Sequence, residues 1–272
     1  MEKIEIKPAD SSGLFNFREL WSYRELLYFL VWRNIKARYS QTAIGVLWVV
    51  IQPLMVMLIF SVLFGRLANL PSEGLPYTVF VFSGLLPWNL IANAVSGAGS
   101  SLIMNRNLVA KVYFPRIIIP LARVLEGLID FGISCCILFC LILFYKIIPA
   151  RTIVALPFFI LWTIVLALGV GFWLSALNVR YKDVAHIMPF LSQIWFYVSP
   201  VAYTLNLVPE KARWLYSLNP MVGIIEGFRW SLFARGASLT IVFPASLIIT
   251  AVIFITGLFY FYNSEKTFAD II

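Results

Sequence analysis

Three charged residues stand where a chain this apolar has little room for them. Arg123, Glu126 and Asp130 follow one another at steps of three and four, so on a helix they share one face and can pair along it. They lie in an apolar block, 117–145, whose charge-free part, 131–145, is 15 residues long. A hydrocarbon layer of about 30 Å needs roughly 20 residues of helix, so a crossing helix must run back through all three charges. A charge inside a span faces protein or water and often marks function. Toward a helix end it can instead reach the interface as a structural anchor. Both readings stand here: a structural ion pair, or part of a substrate path.

Other chemistry is scarce. There is no Gly-x-x-x-x-Gly-Lys-Ser/Thr loop, nor even a Gly-Lys pair, so this chain cannot cradle nucleotide phosphates in that way. The one histidine, His186, opens an apolar block and reads as an interfacial anchor. Cys135, Cys136 and Cys140 fall in mid-block, the last two on one face. With no histidine nearby they read as small buried hydrophobes and not as metal ligands. The 13 acidic residues form none of the paired-carboxylate clusters that hydrolytic or phosphotransfer chemistry would need. The pattern is that of a conduit.

The elements that must position these residues are membrane helices. Of 272 residues, 61% are hydrophobic and 12% charged, about half the charge of a soluble domain. One soluble core could not hide so much apolar surface. The apolar residues come in six blocks, 43–64, 77–95, 117–145, 153–177, 187–203 and 241–262. Lipid offers backbone amides no partner and a barrel would show alternation, so the blocks predict six helical spans. The first begins too late for a cleaved signal peptide. The predicted fold class is all-α integral membrane, one domain over 1–272: residues 1–42 cytoplasmic and interfacial, 43–262 the spans, 263–272 a cytoplasmic tail.

Six spans put both ends on one side. That side carries Lys3, Lys7, Arg18, Arg24, Arg33, Lys36, Arg38, Arg106, Lys111, Arg116, Arg180, Lys182 and Lys266; the other has Arg66, Lys146, Arg151, Lys211, Arg213, Arg229 and Arg235. The basic excess predicts cytoplasmic termini. The net charge of +8 follows from this asymmetry, with anionic headgroups as its partner and no need for nucleic acid.

Before the first span, Phe17, Leu20, Trp21, Leu27, Tyr28, Val31, Trp32, Ile35 and Tyr39 recur at helical steps, with Arg18, Ser22, Glu25, Arg33 and Lys36 opposite. Arg24 and Arg38 interrupt the apolar face; Leu26, Phe29 and Leu30 interrupt the polar one. This predicts an aromatic-rich basic helix in the membrane interface, turning inward at Gly45, or else a helix packed on a cytosolic partner. Between the fifth and sixth blocks, 205–240 holds an apolar stretch, 214–233, broken by Pro220, Gly223, Glu226, Gly227 and Arg229. It predicts a pair of short re-entrant helices packed on protein, with an external cap as the alternative. Asp183 sits where a carboxylate suits a helix dipole.

Four stretches together carry a family resemblance. They are WRNIKARYSQTAIGVLWVVIQP at 32–53, FSGLLPWNLIANAVSGAGSSLIMNRNLVAKVYFPRIIIP at 82–120, NVRYKD at 178–183 and the ending SEKTFADII, with Glu265, Phe268, Ala269 and Asp270. In this order the chain resembles the polysaccharide-exporting ABC-2 transporter permeases. The resemblance implies two copies of this subunit and two of a separate ATPase, which would bind ATP and Mg; no cofactor is implied for this chain. It implies export of a polymer on a polyprenyl diphosphate lipid, such as an O-antigen, across the inner (cytoplasmic) membrane. It assigns ATPase coupling to Arg106, Asn107, Lys111 and Phe114 in the first cytoplasmic loop, and to Arg33, Lys36 and Arg38 on the interface helix. Among 9 Trp, 12 Tyr and 23 Phe, Trp88, Phe196, Tyr197 and Tyr203 are candidates for rings lining the path. Two rivals remain: a permease of the same fold for a drug or lipid, and a membrane enzyme acting on a lipid-linked sugar.

Overall fold

The computed structural model describes residues 17–40, 47–235 and 239–271. The turn expected at Gly45 lies outside them, as do Lys3 and Lys7. All the described elements are helical. In chain order they are α1 (Phe17–Ser22), α2 (Arg24–Ser40), α3 (Leu47–Phe60, continued by a π-helical turn Ser61–Leu67), α4 (Tyr77–Asn93), α5 (Gly99–Met104) and α6 (Arg106–Lys111). Then come α7 (Ile118–Phe144), α8 (Leu156–Arg180), α9 (Val184–Val198), α10 (Glu210–Tyr216), α11 (Pro220–Phe233), α12 (Leu239–Glu265) and α13 (Phe268–Ile271).

Among the described residues, five helical runs are long and apolar enough to cross a membrane: Leu47–Leu67, Tyr77–Met104, Ile118–Phe144, Arg151–Arg180 and Val242–Glu265. The remaining block, expected over 187–203, forms only the 15-residue α9. The cause is local. Pro200 forces the residue before it out of helical geometry, and Ser199 accordingly sits at φ −93°, ψ 145°. At about 1.5 Å per residue, α9 is shorter than a hydrocarbon layer.

α4 is the centre of the bundle, its Val79–Ile91 portion almost wholly buried, with α3, α7, α8 and α11 packed around it. α8 and α12 form the most extensive helix pair, and two glycines make their approach possible. A Cβ on Gly169 would stand 2.8 Å from the Phe254 Cα, and one on Gly257 would stand 2.5 Å from the Gly169 carbonyl oxygen. Small residues at helix crossings are the usual means of close packing where lipid competes equally with apolar side chains.

The segment between α9 and α12 does contain two helices, α10 and α11. Asn219 caps α11, its side chain accepting from the Met221 amide at 3.0 Å, with Pro220 at the first helical position. Every residue of α11 except Trp230 is buried. Its two charges pair within the protein: Arg229 donates to Glu226 at 3.1 Å and to the Val201 carbonyl at 2.8 Å, with its guanidinium 3.6 Å from the Phe80 ring centre. Helix α11 therefore belongs to the core and not to a solvated loop.

The α2 face that meets the protein is turned from the expected one. Leu30, which interrupts the polar face of the sequence pattern, is its most buried residue at 2% exposure, with Leu26, Leu27 and Val31 partly covered. Trp21, Tyr28, Phe29 and Trp32 are exposed. The helix packs on α7, so part of its apolar surface serves the protein and the aromatic part faces outward. Cys136 and Cys140 are also exposed on the chain surface and Cys135 is half-buried, contrary to the expectation of burial. All three lie in the second half of α7; Cys135 packs against the core, and Cys136 and Cys140 lie on the outer side.

Candidate functional site: a coupling platform and a polar cleft

At one end of the bundle the four sequence stretches named above meet. The Arg33 guanidinium donates to the Asn105 side-chain carbonyl at 2.6 Å, joining α2 to the α5–α6 turn. The Arg116 amide donates to the Glu265 carboxylate at 2.7 Å, and the Arg116 guanidinium also meets the Glu265 backbone oxygen. Asn178, from the NVRYKD stretch, donates to the Gly99 carbonyl at 2.9 Å. Beneath these bonds Leu30, Val109, Phe114, Val179, Phe261 and Phe268 form one apolar cluster. The side chain of Phe268 is buried at 1% exposure and stacks edge-on to Phe261.

This places the residues assigned to ATPase coupling in two groups. Arg106, Asn107 and Lys111 are exposed on the α6 loop, and Arg33 and Lys36 are exposed on α2. Phe114 is buried at 4% within the cluster just described, so it cannot be a surface anchor; its ring holds the loop to the bundle. The large apolar side chains presented here are Ile103 and Met104 at the end of α5 and Val112 and Tyr113 after α6. Sequence reasoning chose Phe114 over Tyr113 because which of two adjacent rings beyond the end of α6 turns inward is not readable from composition.

Arg38 goes elsewhere. Its two terminal nitrogens reach Glu126 and Asp130, each at 2.6 Å, while Arg123 pairs with Glu126 at 3.0 Å. The shared face predicted for α7 is therefore present, and the network gains a second arginine from α2. Glu126 is 2% exposed and Asp130 13% by side chain, against 40% for Arg38. Two positive and two negative charges sum to zero, as a site shielded from water requires.

Asp130 and Arg38 also form one rim of an open cleft of about 630 Å³ between α3, α4, α7 and α9. Trp88 and Phe196 line it, their ring centres 5.3 Å apart, and Trp48 adds a third ring. Gln52, Asn89, Asn93 and Gln193 line it with primary amides, and Ser134 and Ser192 with hydroxyls. Those six side chains make no hydrogen bond among the described residues. Of the aromatic candidates for a path, Trp88 and Phe196 are thus brought together. Tyr197 is 62% exposed outside the cleft, and Tyr203 is held by a hydroxyl contact to Tyr216. His186 is exposed in the first turn of α9.

Comparison with known proteins adds an independent line. The family described as ABC-2 type transporter matches residues 25–233. The O-antigen export system permease protein RfbA of Myxococcus xanthus is 35% identical over 214 residues, 78% of this chain and 82% of that protein. The protein of the same name from Klebsiella pneumoniae is 28% identical over 91% of this chain and 95% of its own length. The polysialic acid transport protein KpsM of Escherichia coli is 24% identical over 71% of this chain and 76% of its own.

Proposed function

Since the chain belongs to the ABC-2 type transporter family, we propose that it is the transmembrane subunit of an ATP-driven exporter for a lipid-linked polysaccharide, an O-antigen on a polyprenyl diphosphate carrier. The names of its O-antigen export relatives support that substrate class. Two copies of the chain would work with two copies of a separate ATPase that binds ATP and Mg. Both termini face the cytoplasm of a cell inner membrane in this reading, which rests on the basic excess at that side. Six crossings are counted with α9 as the short fifth, α2 as the interface helix, and α10–α11 as the re-entrant pair between the fifth and sixth.

The convergence of four sequence stretches on one packed end of the bundle carries this reading. A rigid platform from which Arg106, Lys111 and Tyr113 project is suited to receive force from a soluble motor. Reversing charge at Arg106 and Lys111, or changing Tyr113→Ala, should lower ATP hydrolysis by the reconstituted complex and surface polymer in cells together, since a few anchors dominate small interfaces. Insertion and protein level should be unchanged, because all three side chains are exposed. Normal export by a variant that combines these three changes, or turnover of a lipid-linked sugar by the purified chain alone, would overturn the proposal.

A further inference from the structure

The cleft between α3, α4, α7 and α9 has an unusual composition for a membrane helix bundle. Polar groups are costly at membrane depth unless a partner satisfies them. Helices α3, α4 and α9 nevertheless aim free amides into one space, with Asn89 and Asn93 a single helical turn apart on α4. Each amide offers donors and an acceptor, which suits a ligand bearing hydroxyls that both give and accept. The aromatic faces of Trp48, Trp88 and Phe196 beside them supply apolar contact for the C–H faces of such a ligand.

Charge narrows the class further. The charged groups among the described lining residues are Arg38 and Asp130, and these neutralise each other at 2.6 Å. A polyanion entering here would find no unpaired cation among the described lining residues to replace its water. We infer that this cleft is a subsite for uncharged, hydroxyl-rich sugar units, and that the Arg38–Asp130 pair sets its neutrality. The inference rests on the reading of the chain as a glycan permease and adds the charge class of the polymer. Weak, exchangeable contacts of this kind are also what conduction needs, since a bound unit must leave again.

The test uses the permease–ATPase complex in lipid nanodiscs, with saturation-transfer NMR on two probes of equal length, maltohexaose and a hexamer of sialic acid. Maltohexaose should receive saturation from the complex and none from empty nanodiscs; the sialic acid hexamer should receive none from either. Asn89→Leu with Asn93→Leu should weaken the maltohexaose response about tenfold. Asp130→Asn, which leaves the ion network with one positive charge in excess, should admit the sialic acid hexamer in a salt-sensitive manner. Should that variant fail to fold, Gln193→Lys adds an unpaired cation on the exposed wall without touching the ion network and should do the same. A sialic acid response in the unaltered complex, an absent maltohexaose response, one that survives loss of both amides, or no gain from Gln193→Lys would each overturn the inference. ATP hydrolysis in the same nanodiscs reports on the exporter reading separately, so the two can fail independently.

Discussion

Glu126 is the residue on which most electrostatic order depends. It holds Arg38 and Arg123 together while almost fully buried, so Glu126→Gln leaves two arginines competing for Asp130. The expected cost is about 3 kcal/mol, the low end for a broken buried pair because Arg38 is partly solvated. The joint change Arg123→Met with Glu126→Gln should cost less than Glu126→Gln alone, since it strands one fewer charge. Thermal unfolding of the purified chain measures both; equal midpoints for the two would show the groups to be solvated. The α7 face itself was readable from the steps between Arg123, Glu126 and Asp130. The Arg38 contact was not, because 92 residues separate it from Asp130. Its only sign was a charge interrupting an apolar stripe, which looked like an imperfection of α2 and is in fact a tertiary bond.

Elements divide along the same line. Long apolar runs determine their own helices, so α4, α7, α8 and α12 were legible with boundaries off by a few residues. The rotation of α2 was not, because aromatic and aliphatic residues read alike in a periodicity, and only packing on α7 distinguishes Leu30 from Trp32. Leu30→Ala should therefore destabilise by about 2–4 kcal/mol, whereas Trp32→Ala, at 57% exposure, should change unfolding by less than about 0.5 kcal/mol. The glycines give a sharper contrast. Gly257→Val drives atoms into the Gly169 backbone and should abolish stable expression, while Gly132→Val meets nothing within 4 Å and should be tolerated. Similar expression of the two variants would refute the close α8–α12 approach as a requirement. The short α9 could have been foreseen from Pro200 alone, had the apolar block not continued past it to Tyr203.

For the whole molecule the basic residues predict a sidedness. A cysteine placed at Ser72, in the turn between α3 and α4, should react with an impermeant thiol reagent in intact cells, and one placed at Lys266 should not. Labelling at Lys266 from outside would invert the orientation drawn from the basic residues. The native Cys135, Cys136 and Cys140 lie in the second half of α7, the last two exposed, so the labelling is read in a background with all three changed to alanine. Fold class and helix order came from the sequence because membrane solvation acts on each segment separately. The cleft did not, because its four walls come from segments as far apart as Gln52 and Gln193.

The packed platform has a bearing on the order in which the molecule is made. Glu265 and Phe268 leave the ribosome after every one of the residues they hold, yet one secures the loop through Arg116 and the other fills the cluster under Phe114 and Leu30. Until both have emerged, the loop between α5 and α7 and the helix α2 lack two of the groups that hold them in place. A nascent chain, or one cut before Glu265, therefore presents an unfinished platform, and Glu265 and Phe268 act as its closing stitch.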